Sequence, residues 1–195
     1  MTRVTAIAIV LVLAGSTAFE SSVNSAQAGG WTTLFDGKTL KGWNLVGNAN
    51  WEVVDGVMQA TSGNGNLVST ASFGDVQIVV EFWVDDDANS GVFFRCTDLK
   101  TINAKTAYEA QIFDKRPDPE FRTGALTFIA RPAATINTGG KWNTYDITAR
   151  GSRLTVTLNG TQMVDVQDTT FARGPIALQR TAGVVKFRSV RVRTL

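Results

Sequence analysis

The feature that most constrains this chain is a series of short apolar segments separated by turns that need a left-handed backbone. The segment around Asn159-Gly160 reads RLTVTLNGTQMVDV, and the segment around Asp55-Gly56 reads WEVVDGVMQA. Asn-Gly and Asp-Gly favour two-residue hairpin turns, and alternation with a period of two is typical of half-buried strands. No segment shows a convincing helical pattern. Many short strands at regular spacing predict an all-β sandwich or jelly roll.

Strand parity also predicts which side chains fill the core, because successive side chains on a strand point to opposite faces. The apolar positions that share one face in the clearest strands are the candidates. They are Ile78, Val80, Phe82, Val92, Phe94, Ile147, Leu154, Val156, Leu158, Ile176 and Leu178.

The start of the chain, Met1–Ala28, has the pattern of a secretory signal peptide. Arg3 precedes an apolar run, Val4–Ala14, that is too short to span a membrane, and Ala26–Ala28 fits a small-residue cleavage site. Cleavage leaves a single domain, residues 29–195, which is long enough for a sizeable core. We therefore expect an exported protein, periplasmic or extracellular, without a membrane span.

Composition excludes several kinds of chemistry. The chain has no histidine, which removes His-dependent triads and His-ligated zinc sites, and its single cysteine, Cys96, forms no internal disulfide. A net charge of +2 with both signs interspersed gives no reason to expect nucleic acid as a partner. The run Asp85–Asp87 could hold a divalent cation, although such a run is more often a solvated loop. No other cofactor is indicated, and no pattern indicates an oligomeric state.

Polar residues interrupt three consecutive apolar segments in the middle of the chain. Glu81 lies in VQIVVEFWV, Arg95 ends GVFFR, and Glu109 and Gln111 lie in YEAQIFD, which Asp114 closes. Charged side chains are rarely buried unless they are paired, so their concentration indicates a shared polar site.

Parity extends this argument to a candidate site. With regular register, Glu81, Arg95, Glu109 and Gln111 would line one face of one sheet. Trp83, Phe93 and Phe113 would flank them, which is a typical lining for a sugar site. The alternative is a solvated face with cross-strand ion pairs from Arg95 to either glutamate.

With these segments in place, the chain resembles the 3-keto-disaccharide hydrolase family, formerly a domain of unknown function. The matching segments occur in family order and cover nearly the whole mature chain. They are LFDGKTLKGW, WEVVDGVM, the acidic residue of VEFWV, NSGVFFR, YEAQIFD, TGAL, GKWNTYDI, LNGTQMVD, GPIALQ and VKFRSVRVR. The resemblance implies a concanavalin A-like jelly roll, the lectin and glucanase type, with two antiparallel sheets and a carbohydrate site on the concave sheet.

The resemblance also implies a reaction. A 3-keto group acidifies the hydrogen on carbon 2 of a glycoside, a base removes it, the glycosidic oxygen leaves carbon 1, and water adds to the resulting glycal. Such a site needs a carboxylate base, a cation that stabilises the enolate, and an acid near the leaving oxygen. The matching motifs offer Glu109 or Glu81 as base and Arg95 as stabiliser. The candidates for substrate binding are Gln111, Asp114, Trp83, Phe93, Trp142, Asn143, Gln179 and Arg180.

The chain departs from the family pattern at one place. Many members carry a histidine shortly after the pair that corresponds to Leu178-Gln179, whereas here Arg180 follows. A non-catalytic carbohydrate-binding module on the same fold is therefore the alternative function. A two-carboxylate glycosidase is a third, and it would need Glu81 and Glu109 at roughly 5–5.5 Å or 6.5–9.5 Å from each other.

We predict that secreted protein lacks Met1–Ala28 and begins at Gly29, because the charged start, the short apolar run and the small-residue site coincide. Intact-mass measurement of secreted material checks this. A mass that still includes the apolar run Val4–Ala14 would contradict it.

Overall fold

The computed structural model describes Met1 and residues 30–195, so the predicted signal peptide lies outside the described residues apart from Met1. The described chain forms two antiparallel sheets and a single short 3-10 helix, Pro119–Phe121. Within residues 30–195 no helix is both long and apolar enough to cross a membrane. The prediction of an all-β jelly roll with two antiparallel sheets is confirmed.

The larger sheet has eight strands in the order β11-β10-β9-β6-β13-β4-β3, with β1 also paired to β13. Their bounds are β1 Thr32–Thr33, β3 Glu52–Val54, β4 Val57–Ala60, β6 Val76–Val84, β9 Trp142–Arg150, β10 Arg153–Leu158, β11 Thr161–Gln167 and β13 Val185–Thr194. The smaller sheet has five strands in the order β2-β5-β12-β7-β8. Their bounds are β2 Trp43–Gly47, β5 Gly65–Phe73, β7 Asn89–Phe94, β8 Tyr108–Ile112 and β12 Gly174–Ala182.

The main core lies between the two sheets and contains the side chains that parity predicted. All eleven predicted core positions are fully buried. They come from both sheets, since β6, β9 and β10 belong to the larger sheet and β7 and β12 to the smaller. Burial of these apolar side chains is the main source of stability in a domain whose one cysteine is free.

Two hairpin turns hold the strands in register, and both use the backbone conformation that the sequence predicted. Asn159 and Gly160 have φ angles of 51° and 82°, and Asp55 and Gly56 have 50° and 79°. Two consecutive positive φ angles define a type I′ turn, whose twist matches that of the flanking strands.

The outer face of the smaller sheet carries a second, minor core. The register places Val68, Ala177, Phe93 and Glu109 side by side on four adjacent strands. The segment 96–107 folds over this row, so that Cys96, Ile102 and Ala107 pack on Val68, Phe93 and Ala177. Phe93 is therefore fully buried although it does not face the main core.

The free edge of β8 is covered by a different segment. Gln111 donates its backbone N–H to the carbonyl of Ala125, Gly124 donates to the carbonyl of Gln111, and Thr127 donates to the carbonyl of Glu109. The edge strand of the smaller sheet thus ends against the loop region 113–130 and is not left open to solvent.

We predict that Gly160→Val destabilises the fold by on the order of 1 kcal/mol or more, because valine is strained at a φ of 82°. Chemical denaturation measures the change. Gly30→Val is the matched control, since Gly30 has open space around its Cα and no left-handed backbone, and it should leave stability unchanged. Equal stability of the two variants would show that the turn does not require a left-handed residue at position 160.

Candidate functional site

A cleft of about 290 Å³ opens on the outer face of the smaller sheet, at the edge formed by β8. Its floor is made by the side chains of β8, one wall by the segment 96–107 with the start of β7, and the other wall by the loop region 113–130. The lining residues are Glu109, Gln111, Asn89, Asn103, Ala104, Phe113, Arg116, Phe121, Thr127 and Phe128. Amides, a carboxyl, a guanidinium and aromatic rings therefore meet in one concave site.

A larger depression, of about 510 Å³, lies beside β1 and β5. Its carboxylate, Asp36, is exposed and already accepts hydrogen bonds from the backbone of Lys38 and Thr39. No aromatic side chain is among its described lining residues. The smaller cleft at β8 is therefore the better candidate for chemistry.

Glu109 is the central group of the β8 cleft. Its side chain is only 6% exposed and forms no ion pair with any described residue. Burial raises the pKa of Glu109 from its ordinary 4.5 to about 7, against a smaller lowering by the nearby Thr127 hydroxyl. A carboxyl that titrates near neutral pH at the floor of a cleft is suited to take and return a proton.

The space that Glu109 occupies depends on a glycine in the neighbouring strand. Gly91 pairs with Gln111 in the register, and a Cβ at Gly91 would lie 2.9 Å from Oε1 of Glu109. The carboxyl group therefore lies over the bare backbone of β7. A side chain at position 91 would push Glu109 away from the sheet and toward solvent.

Gln111 shares the floor of the cleft with Glu109 because the two residues have the same parity on β8. Oε1 of Gln111 accepts a hydrogen bond from the backbone N–H of Ile112 at 3.0 Å, which fixes the amide and leaves its nitrogen for a ligand. Gln179, half-buried on β12, lies in the same row beyond Gly91 but is not among the lining residues.

The prediction that Arg95 shares a face with Glu109 is wrong. Arg95 follows the last residue of β7 and has a φ of 54°, which breaks the alternation on which the parity argument rested. Its buried guanidinium donates to the carbonyl oxygens of Gly74, Gly151 and Phe171, and it pairs with Asp75 at 3.2 Å. Arg95 joins loops of the sandwich and does not line the cleft.

The prediction that Glu81 belongs to the same face is also wrong. Glu81 lies on β6, in the larger sheet, and its Oε2 is 2.5 Å from Nε of Arg188. The guanidinium of Arg188 stacks on Trp142 at 4.4 Å, and Lys186 lies 4.8 Å from the ring centre of Trp83. Glu81, Trp83 and Trp142 thus occupy the outer face of the larger sheet.

This placement excludes Glu81 and Glu109 as a catalytic pair. The two residues lie on the outer faces of opposite sheets, and packed sheets are about 10 Å apart before side chains are added. The ion-pair alternative also fails, because Arg95 pairs with Asp75 and Glu81 with Arg188. Glu109 is the only carboxyl group among the described lining residues of the cleft.

Three further candidates for substrate binding are engaged with the protein itself. Asp114 accepts hydrogen bonds from the Thr123 hydroxyl and from the backbone of Thr138 and Gly139. Asn143 donates to the carbonyl oxygens of Thr138 and Lys141 and accepts from Asn159. Arg180 donates to the carbonyl oxygens of Thr61, Gly63 and Gly183. None of the three lines the cleft.

The wall formed by the loop region 113–130 was not found by sequence reasoning. The guanidinium of Arg116 lies 5.3 Å from the ring centre of Phe121, and Phe121 meets Phe128 edge to face at 5.0 Å. Arg116 lies in irregular backbone, Phe121 ends the short 3-10 helix and Phe128 lies in a turn, so parity gives no information about them. The only available signal was the position of Arg116 and Phe121 directly after YEAQIFD, in the segment KRPDPEF, while Phe128 follows in TGALTFIA.

The acidic run Asp85–Asp87 is also engaged with the protein. Asp85 accepts hydrogen bonds from the backbone of Asp87 and Val184, and Asp87 pairs with Lys115 at 2.6 Å. In the part of the chain that the structure describes, no three side chains of the usual metal-ligating types lie together.

Two packed antiparallel sheets with a polar, aromatic-walled cleft on the outer face of one sheet define a jelly-roll protein. The chain belongs to the family of 3-keto-alpha-glucoside-1,2-lyase-like domains, whose model matches residues 30–193.

Comparison with individual proteins gives one curated relative and several similar folds. A 3-keto-disaccharide hydrolase of Bacteroides thetaiotaomicron is 26% identical over 149 residues, which are 60% of this chain and 51% of that protein. The chain thus spans about half the length of that relative. A candidate glycosyl hydrolase from Parabacteroides distasonis has a TM-score of 0.77 at 20% identity, covering 85% of this chain and 94% of that one. The carbohydrate-binding module CBM66 from Bacillus subtilis has a TM-score of 0.64 at 24% identity, covering 78% and 96%.

We predict that Glu109→Gln changes how stability depends on pH. Because its pKa is raised on folding, Glu109 binds its proton more tightly in the folded state, so the wild type loses stability as pH rises from about 4.5 to about 7. The loss is on the order of 3 kcal/mol. Glu109→Gln has no carboxyl to titrate at this position and does not show this loss. Its stability relative to the wild type should therefore increase between pH 4.5 and pH 8.

Urea unfolding at pH 5 and pH 8 measures this difference. Glu81→Gln is the matched control, since it breaks an ion pair at the surface, should cost less than about 1 kcal/mol, and keeps Glu109. If Glu109→Gln and the wild type respond equally to pH, the carboxyl titrates at its ordinary pKa and the description of the cleft is wrong.

Proposed function

We propose that this protein hydrolyses 3-keto-glycosides, such as 3-keto-disaccharides, by elimination followed by hydration, with Glu109 as the base. The observation that carries the proposal is a buried carboxyl without a cationic partner, at the floor of a cleft lined with amides and aromatic rings. Membership of the family and the name of the curated relative support the same reaction class.

The proposed reaction starts at carbon 2 of the oxidised sugar. Glu109 takes the hydrogen on carbon 2 as a proton, and the electron pair of the C–H bond forms the enolate with the neighbouring carbonyl at carbon 3. The enolate then expels the glycosidic oxygen from carbon 1, and Glu109 passes its proton to this oxygen, which leaves as an alcohol. Glu109 next takes a proton from a water molecule as the oxygen of that water adds to carbon 1, and it delivers this solvent proton to carbon 2. The sum is hydrolysis of the glycosidic bond.

The cleft supplies what this sequence of steps needs. A base with a pKa of about 7 is largely deprotonated above neutral pH yet can pass a proton to the leaving oxygen and later a solvent proton to carbon 2. Arg95 lies outside the cleft and cannot stabilise the enolate. The N–H groups that line the cleft do so instead, and they belong to the amides of Gln111, Asn89 and Asn103 and to the guanidinium of Arg116. Of these donors Gln111 is buried, and a donor shielded from water stabilises developing negative charge more strongly than a donor in water does.

Export is part of the proposal. The signal-peptide pattern of Met1–Ala28 favours a periplasmic or extracellular site of action. The substrate would then be a 3-keto-glycoside present outside the cytoplasm, and an oxidation of a glycoside at carbon 3 must supply it.

A second candidate function is a carbohydrate-binding module without catalysis. Two observations favour it: Arg180 occupies the region where many family members carry a histidine, and its guanidinium is bound to backbone carbonyls. The similarity to CBM66 is compatible with this function but shows only the fold. In that case the cleft would bind sugar and release no product.

We predict that the wild type releases the unoxidised sugar from 3-keto-trehalose and 3-keto-sucrose but not from trehalose or sucrose. Glu109→Gln should lower turnover by roughly 10²-fold or more, the usual contribution of a positioned base. Chromatographic measurement of the released sugar checks both statements. Glu81→Gln is the control and should keep full activity, because its ion pair with Arg188 lies on the other sheet.

The same assay, run over a range of pH, tests which protonation state of Glu109 is active. Because the deprotonated carboxyl is the active form, kcat/KM should rise with pH, about tenfold per unit below pH 7, and level off above it. Full activity of Glu109→Gln would show that Glu109 is not the base. Binding of sugars without any turnover by the wild type would favour the carbohydrate-binding module.

A further inference from the structure

Phe128 combines two unfavourable features at the rim of the cleft. Its ring is 52% exposed, and its backbone has a φ of 66°. Bulky residues rarely adopt a left-handed backbone, and an exposed ring gains little from burial. Strained residues of this kind concentrate at ligand-binding positions, where the surrounding structure holds them in place.

The backbone around Phe128 is fixed tightly enough to impose this conformation. Leu126 and Ala130 exchange hydrogen bonds of 3.0 and 2.8 Å, which close a short turn with Phe128 at its tip. The next residue toward the N-terminus, Thr127, donates its backbone N–H to the carbonyl of Glu109 at 3.1 Å. The position of the exposed ring is therefore tied directly to the backbone of the candidate base.

The surroundings of Phe128 offer both an apolar surface and polar groups. Phe121 meets its ring edge to face at 5.0 Å, and the guanidinium of Arg116 covers Phe121. The hydroxyl of Thr127 lines the same cleft and is only 4% exposed. It lies close enough to the Glu109 carboxyl to lower the pKa of that group but forms no hydrogen bond of ordinary geometry with any described residue. It is therefore placed to bond a polar group of a ligand beside Glu109.

We propose that Phe128 is a platform on which the leaving sugar ring stacks, so that the cleft favours 3-keto-glycosides whose leaving group is a sugar ring over those that release a simple alcohol. This inference rests on the proposed function. Carbon 2 of the oxidised sugar has to reach Glu109 at the floor, and the leaving group therefore extends toward the rim, where Phe128 is exposed. A pyranose presents C–H groups on its ring faces and hydroxyl groups at its edge, which match the phenyl ring and the Thr127 hydroxyl.

Phe128→Asn tests the platform without adding strain, because asparagine tolerates a left-handed backbone and removes the ring. Two substrates separate binding of the leaving group from chemistry: 3-keto-trehalose, which releases glucose, and methyl 3-keto-α-glucoside, which releases methanol. We expect kcat/KM for 3-keto-trehalose to fall by about tenfold, the usual contribution of an aromatic contact, and kcat/KM for the methyl glycoside to change less than about twofold. Phe128→Tyr keeps the ring and should restore the wild-type ratio.

Two controls make the result specific. Leu45→Ala removes another exposed apolar side chain, on β2 and away from the cleft, and should change neither substrate. The melting temperature of Phe128→Asn should stay near that of the wild type, since release of backbone strain offsets loss of the contact with Phe121. Equal effects on both substrates, or no effect on either, would contradict stacking of the leaving sugar on Phe128. Neither result would contradict the proposed function.

Failure of the proposed function gives a different result. If the wild type turns over neither substrate, calorimetry with Glu109→Gln, with and without Phe128→Asn, still measures binding of the two compounds. Weaker binding of 3-keto-trehalose alone would support the platform. Unchanged or undetectable binding of 3-keto-trehalose would overturn it.

Discussion

The structure depends on one constraint, which is that two packed sheets must bury one row of side chains from every strand between them. Apolar residues such as Ile78, Phe82 and Leu178 therefore occupy the inward positions of both sheets. Polar chemistry is then confined to the outer faces and to the loops that cross them. Glu109 and Gln111 have outward parity on an edge strand, and that parity determines the place of the cleft.

An outward carboxyl would ordinarily be solvated and fully ionised near neutral pH. Glu109 differs because the segment 96–107 and the loop region 113–130 build walls around it, while Gly91 lets it lie close to the sheet. None of the described cations pairs with Glu109: Arg116, which lines the same cleft, lies over the ring of Phe121, and Arg95 pairs with Asp75. Desolvation without a compensating charge is what raises the pKa of this carboxyl.

The fold could be predicted from the sequence because it depends on local patterns. Alternation within a strand and the Asn-Gly and Asp-Gly turns are properties of neighbouring residues, and they hold in the structure at Ile147, Leu154 and Gly160. The membership of each strand in a sheet depends on distant pairing, since β6 lies between β9 and β13. For this reason parity assigned the orientation of Glu81 correctly but could not show that it belongs to the other sheet.

Two further features of the site were beyond sequence reasoning for physical reasons. Arg95 leaves the alternation through a single left-handed residue, which no pattern of arginine and its neighbours predicts. Phe121 ends a three-residue 3-10 helix and Phe128 lies in a turn, so neither the period of a strand nor that of an α-helix indicates where their rings lie. What the sequence did indicate at the site was the pair on β8, Glu109 and Gln111, together with Phe113, which also lines the cleft.

In the proposed reaction, Glu109 removes the hydrogen on carbon 2 before the glycosidic bond breaks. Hydrolysis of 3-keto-trehalose in ²H₂O, with mass spectrometry of the 3-keto-glucose formed at short times, tests this step. Product formed by the wild type should carry one solvent deuterium on carbon 2. Product incubated alone under the same conditions corrects for spontaneous exchange. Hydrolysis that leaves the original hydrogen on carbon 2 would mean direct displacement at carbon 1 and would contradict the assignment of Glu109 as the base.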